Sequence, residues 1–210
     1  MSKRLEIKAA IIDKMISGDL LPSEGIPEES LAAEFSTSRT PVREALISLE
    51  AQCLVSSEAN RGFRVTSVSI EQIRSYFEMA RALYPTLFRT AMERQSARLG
   101  DQIEQLDRGE DDPVAADAAS HLRFMMVVAA ATQNPYFSQS VEAIESYHAM
   151  VRNKVCRSLS PRVVQAADRE LVLHRRNLKE AFAANDEAQL VDSAGQMIDG
   201  SRVFLLSNLV

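Results

Sequence analysis

The sequence predicts a mainly α-helical chain, an N-terminal winged helix-turn-helix followed by an antiparallel all-α bundle. Three observations predict it. Within residues 38–50, Val42, Ala45, Leu46 and Leu49 fall at i, i+3, i+4 and i+7 on one helix face, while Arg39, Thr40, Arg43 and Ile47 project elsewhere. Shortly after, Phe63 and Val65 alternate with Arg64 behind a turn at Asn60-Arg61-Gly62, as in a half-buried hairpin. From Ile70 onward every periodic segment is helical, and an aromatic content of 6%, the absence of Trp and only seven glycines agree with that.

The elements follow in order. Residues 4–17 read as a first helix with Leu5, Ile12 and Met15/Ile16 along its stripe, Ser2 as its cap and Gly18-Asp19 as its end. Leu20 to Gly25 reads as a loop through Pro22. A short helix over about 27–35 opens with Pro27, Glu28 and Glu29 and turns Leu31, Ala32 and Phe35 inward. A tight turn then leads to the arginine-bearing helix. Pro41 is tolerated in its first turn, where the missing N–H would have no partner, and Ser38 or Thr40 can cap it. Two arginines, hydroxyls and unpaired backbone N–H groups at the positive end of a helix suit an anion, and DNA phosphate with its base edges is the candidate. The wing brings Arg61 and Gly62 to its tip.

Ser67-Val68-Ser69 is the linker, so domains are expected over 1–67 and 70–210. Ser69 to Gln72 fits a capping box. Helices are expected near 70–84, 86–107, 114–131, 135–156, 163–184 and 187–207, with Pro85 kinking or restarting the first. Five or six helices make the bundle.

Composition limits the function classes. Net charge is −5; residues 1–68 hold eight Lys+Arg and ten Asp+Glu, hence −2, leaving −3 for the remainder. Affinity for DNA must come from a few placed arginines, not from bulk charge. No apolar run approaches a membrane span, and the basic start Lys3-Arg4 is followed by no apolar core. Cys53 and Cys156 form no metal or disulfide spacing, so a cytoplasmic protein with reduced thiols is expected. No nucleophile–base pair, glycine-rich phosphate loop or paired carboxylates stand out. The acidic run Asp101, Glu104, Asp107, Glu110, Asp111, Asp112 reads as helix surface and loop, so an enzyme is not expected.

Gly18-Asp19-Leu20-Leu21-Pro22, Leu31-Ala32, Ser38 to Leu46 with Leu49-Glu50, and Arg61 to Val65 resemble the N-terminal domain of GntR-family bacterial transcription regulators. The resemblance implies that Ser38, Arg39, Thr40 and Arg43 contact operator DNA, with Gly62 at the wing tip reaching the minor groove. Ser23-Glu24 and Phe35-Ser36-Thr37 depart from the family's usual turns. Arg81…Tyr84-Pro85, His121…Phe124…Asn134-Pro135 and Glu180-Ala181-Phe182…Asp186 are similar to the FCD ligand-binding domain of the FadR subfamily, in its VanR-like, six-helix branch. That implies a homodimer on double-stranded palindromic operator DNA, commonly a repressor, answering to a small-molecule effector.

Many FCD domains hold a divalent metal with one Asp and three His. The matching positions here are His121, Met125, Arg175 and Met197, of which one is a metal ligand of the usual kind. A register shift would bring in Asp117, His121 and His174; otherwise His121, His148 and His174 are ordinary helix-face histidines. The expectation is no metal and no cofactor. The effector is expected to be a carboxylate, with Arg175 as its cation and Arg81, His121 and Met125 around it. Two other readings stay open. The bundle only dimerises and senses nothing, or the chain is a helical enzyme or scaffold with a vestigial DNA-binding domain.

Overall fold

The computed structural model of the chain describes residues 2–58, 61–108 and 118–209. Two compact units divide at Ser69/Ile70.

The first unit holds α1 (Lys3–Ser17), β1 (Gly25–Ile26), α2 (Glu28–Glu34), α3 (Arg39–Glu50), β2 (Val55–Glu58) and β3 (Gly62–Val65). The α3 stripe is its core: Val42, Ala45, Leu46 and Leu49 are fully buried, and α3 packs on α1, α2 and β2. Val42, Leu46 and Leu49, withdrawn from water, each contribute about 1.5–3 kcal/mol. The α1 stripe differs from the expected one. Leu5 is exposed, and Ile7, Ile11, Ile12, Met15 and Ile16 go inward. Ile7, Ile11 and Met15, spaced by four, define a face on which Leu5 does not lie. Phe35 is only half-buried, its ring lying 5.5 Å under Lys3 Nζ.

The loop expected over 20–25 ends in a strand. Gly25 and Ile26 pair antiparallel with Arg64 and Phe63, so β3 is central in the order β1-β3-β2. Two residues are too few to show a period. The wing register pairs Val55 with Val65 and Ser57 with Phe63, and Leu54, Val55, Phe63 and Val65 are buried. The expected caps Ser2 and Ser38 hold the N-cap positions of α1 and α3 without a side-chain cap bond.

The second unit contains α4 (Ile70–Arg108), α5 (Ala118–Ala131), α6 (Pro135–Cys156), α7 (Pro161–Ala184) and α8 (Glu187–Asn208). Pro85, expected to kink or restart the helix, does not restart it; α4 runs through it for 39 residues. Proline removes one helical bond, and Tyr84, Leu87 and Phe88 are fully buried on either side of it. Their packing offsets that loss. The expected helices over 70–84 and 86–107 are therefore one, and the described residues of the second unit hold five helices, the lower of the five or six expected.

Helix α4 packs against the other four helices, with further contacts of α5 on α6 and of α7 and α6 on α8. Short turns make consecutive helices from α5 to α8 antiparallel. Asn134 caps α6 by accepting from Tyr136 N–H at 3.0 Å, and Asp186 caps α8 by accepting from Gln189 N–H at 2.9 Å. Asn185 ends α7 in the left-handed region at φ 52°. Among the described residues no helix is long and apolar enough to cross a membrane.

Candidate nucleic-acid interface and bundle interior

The two ends of the first unit's surface meet at one place. Arg39, Thr40, Arg43, Glu44 and Ile47 of α3, Glu28 and Glu29 of α2, and Arg61 and Gly62 of the wing line an open cleft of about 640 Å³. Burying the opposite stripe of α3 forces this outcome, since residues 100° away on the helix must face solvent. Arg39, Thr40 and Arg43 are exposed, and Ile47 stands 53% exposed beside them. Ser38 is exposed at the helix start, where the first N–H groups lack helical partners. Of the six residues expected at a DNA surface, five line the cleft and Ser38 adjoins it.

The wing is set on α3 by one carboxylate. Glu50, the last residue of α3, accepts from the Ser57 backbone N–H at 2.8 Å and from the Ser57 hydroxyl at 2.6 Å. Those two donors hold the Glu50 carboxyl below its ordinary pKa. Glu58 binds Arg64 at 3.3 Å and Arg61 at 3.7 Å, and the Arg61 N–H closes the turn onto the Glu58 carbonyl at 3.0 Å. Gly62 sits at φ +76°, a region that strains any residue with a Cβ. Asn60, expected in this turn, lies outside the described residues.

The cleft is not simply basic. Arg39 pairs with Glu29, both well exposed. An exposed pair contributes about 0–1 kcal/mol, whereas a guanidinium on a base edge contributes about 1–3 kcal/mol. Glu29 therefore does not compete seriously with a nucleic acid for Arg39.

Inside the second unit Arg175 reaches α5 beside His121, which lies one turn before Met125, while Arg81 stands apart at the surface. Arg81 is exposed on α4 and pairs with Asp199 of α8. Its long polar side chain finds a carboxylate at the surface instead of the interior. Met125 is fully buried in the core. Arg175 is buried on α7 and donates to Ser120 Oγ of α5 at 2.9 Å. His121 is buried on α5, its Nε2 lying 3.5 Å from Glu145 Oε2. Burial first, then His148, Arg175, Arg152 and His174, hold His121 well below the usual histidine range, so it is neutral.

Residues given no site role by the sequence, His148 among them as an ordinary helix-face histidine, complete this interior. Glu145 and His148 lie one turn apart on α6, the spacing that points Glu-x-x-His pairs inward in metal-binding bundles. That spacing was the available signal. His148 Nδ1 is 3.4 Å from Glu145 Oε2, its Nε2 is 2.7 Å from Ser201 Oγ, and its ring stacks on Tyr76 at 5.0 Å. Tyr76 donates to Glu145 Oε1 at 3.3 Å. Arg152 binds Asp168 at 2.6 Å and covers the Phe204 ring at 4.9 Å. A cavity of about 20 Å³ beside Arg152, His174 and Met197 is room for one water.

The metal-free expectation rests on His121, Met125, Arg175 and Met197. Buried Met125 and Met197 and the guanidinium of Arg175 do not fit the family's ligand set. The shifted set cannot be followed, because Asp117 lies outside the described residues, as do the side chains of Asp101, Glu104 and Asp107 and all of Glu110, Asp111 and Asp112.

Residues 3–65 match the family model described as bacterial regulatory proteins, gntR family. Over 69 residues the chain is 35% identical to an uncharacterized HTH-type transcriptional regulator, YdhC, of Bacillus subtilis, covering 32% of this chain and 31% of that one. Over 137 residues it is 29% identical to the Nta operon transcriptional regulator of Aminobacter aminovorans, covering 61% of this chain and 63% of that one. The matches thus span less than two thirds of either relative. The fold is that of E. coli McbR/YncC, with a TM-score of 0.83, 17% identity and coverage of 99% and 98% of the two chains. A GntR-type regulator structure from Rhodococcus sp. RHA1 follows at a TM-score of 0.70, 18% identity and full coverage of both. The first unit is a GntR-type winged helix-turn-helix.

Proposed function

We propose that this chain, whose first unit is a GntR-type winged helix-turn-helix, is a DNA-binding transcription regulator. One observation carries the reading: Arg39, Thr40, Arg43, Arg61 and Gly62, from two elements, line one cleft at the start of α3. The start of α3 enters a major groove, Arg43 reads base edges, Arg39 and the free N–H groups hold phosphate, and the wing tip lies against the backbone. Relatives named as transcriptional regulators support this role. A homodimer bound to a palindrome follows from how few bases one such domain reads, and its output is repression. Such a protein works in the cytoplasm, beside the DNA.

The bundle carries the response. Arg175, buried and bonded to a neutral hydroxyl, supports a small carboxylate as effector, because its fork donates to two oxygens at once. An effector must favour one arrangement of the dimer over another, or it shifts nothing. The small cavity and the buried Met125 and Met197 favour the second reading, a bundle that only dimerises.

A gel shift on DNA upstream of the chain's own gene, repeated with a panel of small carboxylates, tests both. Specific retardation is the expected result, and its absence overturns DNA regulation. Release by one carboxylate, lost in Arg175→Ala, is expected of a sensor. Retardation unchanged by every acid leaves the dimerisation platform standing.

A further inference from the structure

We propose that the helical unit binds one zinc-type dication through His121 of α5 and Glu145 and His148 of α6. The ligating atoms of these three buried side chains all lie within 4.8 Å of one another. The site shares a single position, His121, with the ligand set that the family resemblance implies.

Distance decides between a hydrogen-bonded triad and a metal centre. Glu145 Oε2 is 3.5 Å from His121 Nε2 and 3.4 Å from His148 Nδ1. A hydrogen bond from an imidazole N–H to a carboxylate closes to about 2.7–3.2 Å, so these separations are long for one. Two donors that share an ion at about 2.0–2.2 Å in tetrahedral geometry stand about 3.3–3.5 Å apart, which matches the two separations to Glu145, while the ligating nitrogens of His121 and His148 lie within 4.8 Å of each other. Glu145 Oε2 is itself buried and takes no hydrogen bond among the described residues. A carboxylate oxygen so placed calls for a cation.

The surroundings suit that role. Ser201 Oγ at 2.7 Å from His148 Nε2 can accept its proton and leave the Nδ1 lone pair facing Glu145. Tyr76 donates to the other carboxylate oxygen and stacks on His148, fixing both ligands. Two guanidiniums oppose a cation here; Arg152 is offset by Asp168, and Arg175 is turned to Ser120. Two imidazoles with one carboxylate select zinc and its neighbours over magnesium or calcium, which prefer all-oxygen sites. The bound ion would tie α5 to α6, with α4 and α8 holding its ligands.

The test uses the full chain, stripped with chelator and titrated with ZnCl2 by calorimetry, with elemental analysis of the loaded protein. One zinc per chain is expected. Glu145→Gln and His148→Gln should each weaken binding at least about 100-fold, Ser201→Ala about 10-fold, and His174→Gln not at all. Zinc should raise the melting temperature of the parent chain and not that of Glu145→Gln. Substoichiometric zinc in the parent, or unchanged affinity in both ligand variants, overturns the site. Should the variants fail to fold, Co2+ added to the unaltered chain decides. Intense visible bands of low-coordinate cobalt support the site, and the pale spectrum of hydrated cobalt overturns it. DNA retardation is measured separately, so loss of the metal site leaves the regulator reading untouched.

Discussion

At the scale of single residues, position on α3 sorts the arginines by role. Arg43 is exposed one turn into the helix, where a bidentate base contact is worth about 1–3 kcal/mol. Arg43→Ala should therefore lower specific operator affinity by about 10- to 100-fold and leave circular dichroism and the melting temperature unchanged. Affinity within a factor of two of the parent contradicts its role. Glu29 sits on the other side of the balance, paired to Arg39 at the rim of the cleft. Replacing it with Gln removes a like charge facing phosphate and should tighten binding a few-fold, most visibly at low salt. Weaker binding in Glu29→Gln would show that the pair serves to orient Arg39. In the bundle, the Arg152–Asp168 pair is almost fully buried. Asp168→Ala should cost about 3–5 kcal/mol because it strands a buried guanidinium, and a denaturant melt reads that directly.

At the scale of elements, the wing depends on a carboxylate at the end of the helix that precedes it. Glu50 accepts two bonds from Ser57, and its folded pKa lies below the unfolded value. The sign follows from that direction. The stabilisation is complete above the unfolded pKa, near 4.3 for a glutamate, and is lost as pH falls through the folded value. Acidification below about pH 4 should therefore loosen β2 from α3, seen as faster amide exchange at Ser57. Glu50→Gln should show that exchange at neutral pH, with little further change on acidification. Equal exchange in parent and variant across the range counts against the clamp. Gly62→Ala tests the same hairpin from its backbone, and φ +76° makes a loss of about 1–3 kcal/mol the expected result.

At the scale of the whole molecule, one winged unit offers too few base contacts for a unique site, so two copies are expected to act together. Sedimentation of the 23.3 kDa chain should give twice that mass, and a variant lacking residues 1–68 should give twice its own mass. A monomeric variant with an intact helical spectrum would move the dimer contact out of the bundle. Net charge of −5 keeps the rest of the chain from adding affinity for DNA.

The sequence by itself determined the elements whose signal is local. The i, i+3, i+4, i+7 stripe of α3, the alternation Phe63-Arg64-Val65 and the stops at Asn134-Pro135 and Asn185-Asp186 each follow from nearest neighbours along the chain. The cleft residues were legible for the same reason, since burying one helix face exposes the other. Tertiary structure decided what depends on partners distant in sequence. Strand β1 exists because β3 offers Gly25 and Ile26 an edge, and α4 continues through Pro85 under the packing of Tyr84, Leu87 and Phe88. It also drew Arg81 outward to Asp199 and set His121 24 residues from Glu145 in sequence but 3.5 Å away in space. A periodicity records which face of a helix is buried. It does not record which neighbour that face meets, because that choice belongs to the packing of all the helices at once.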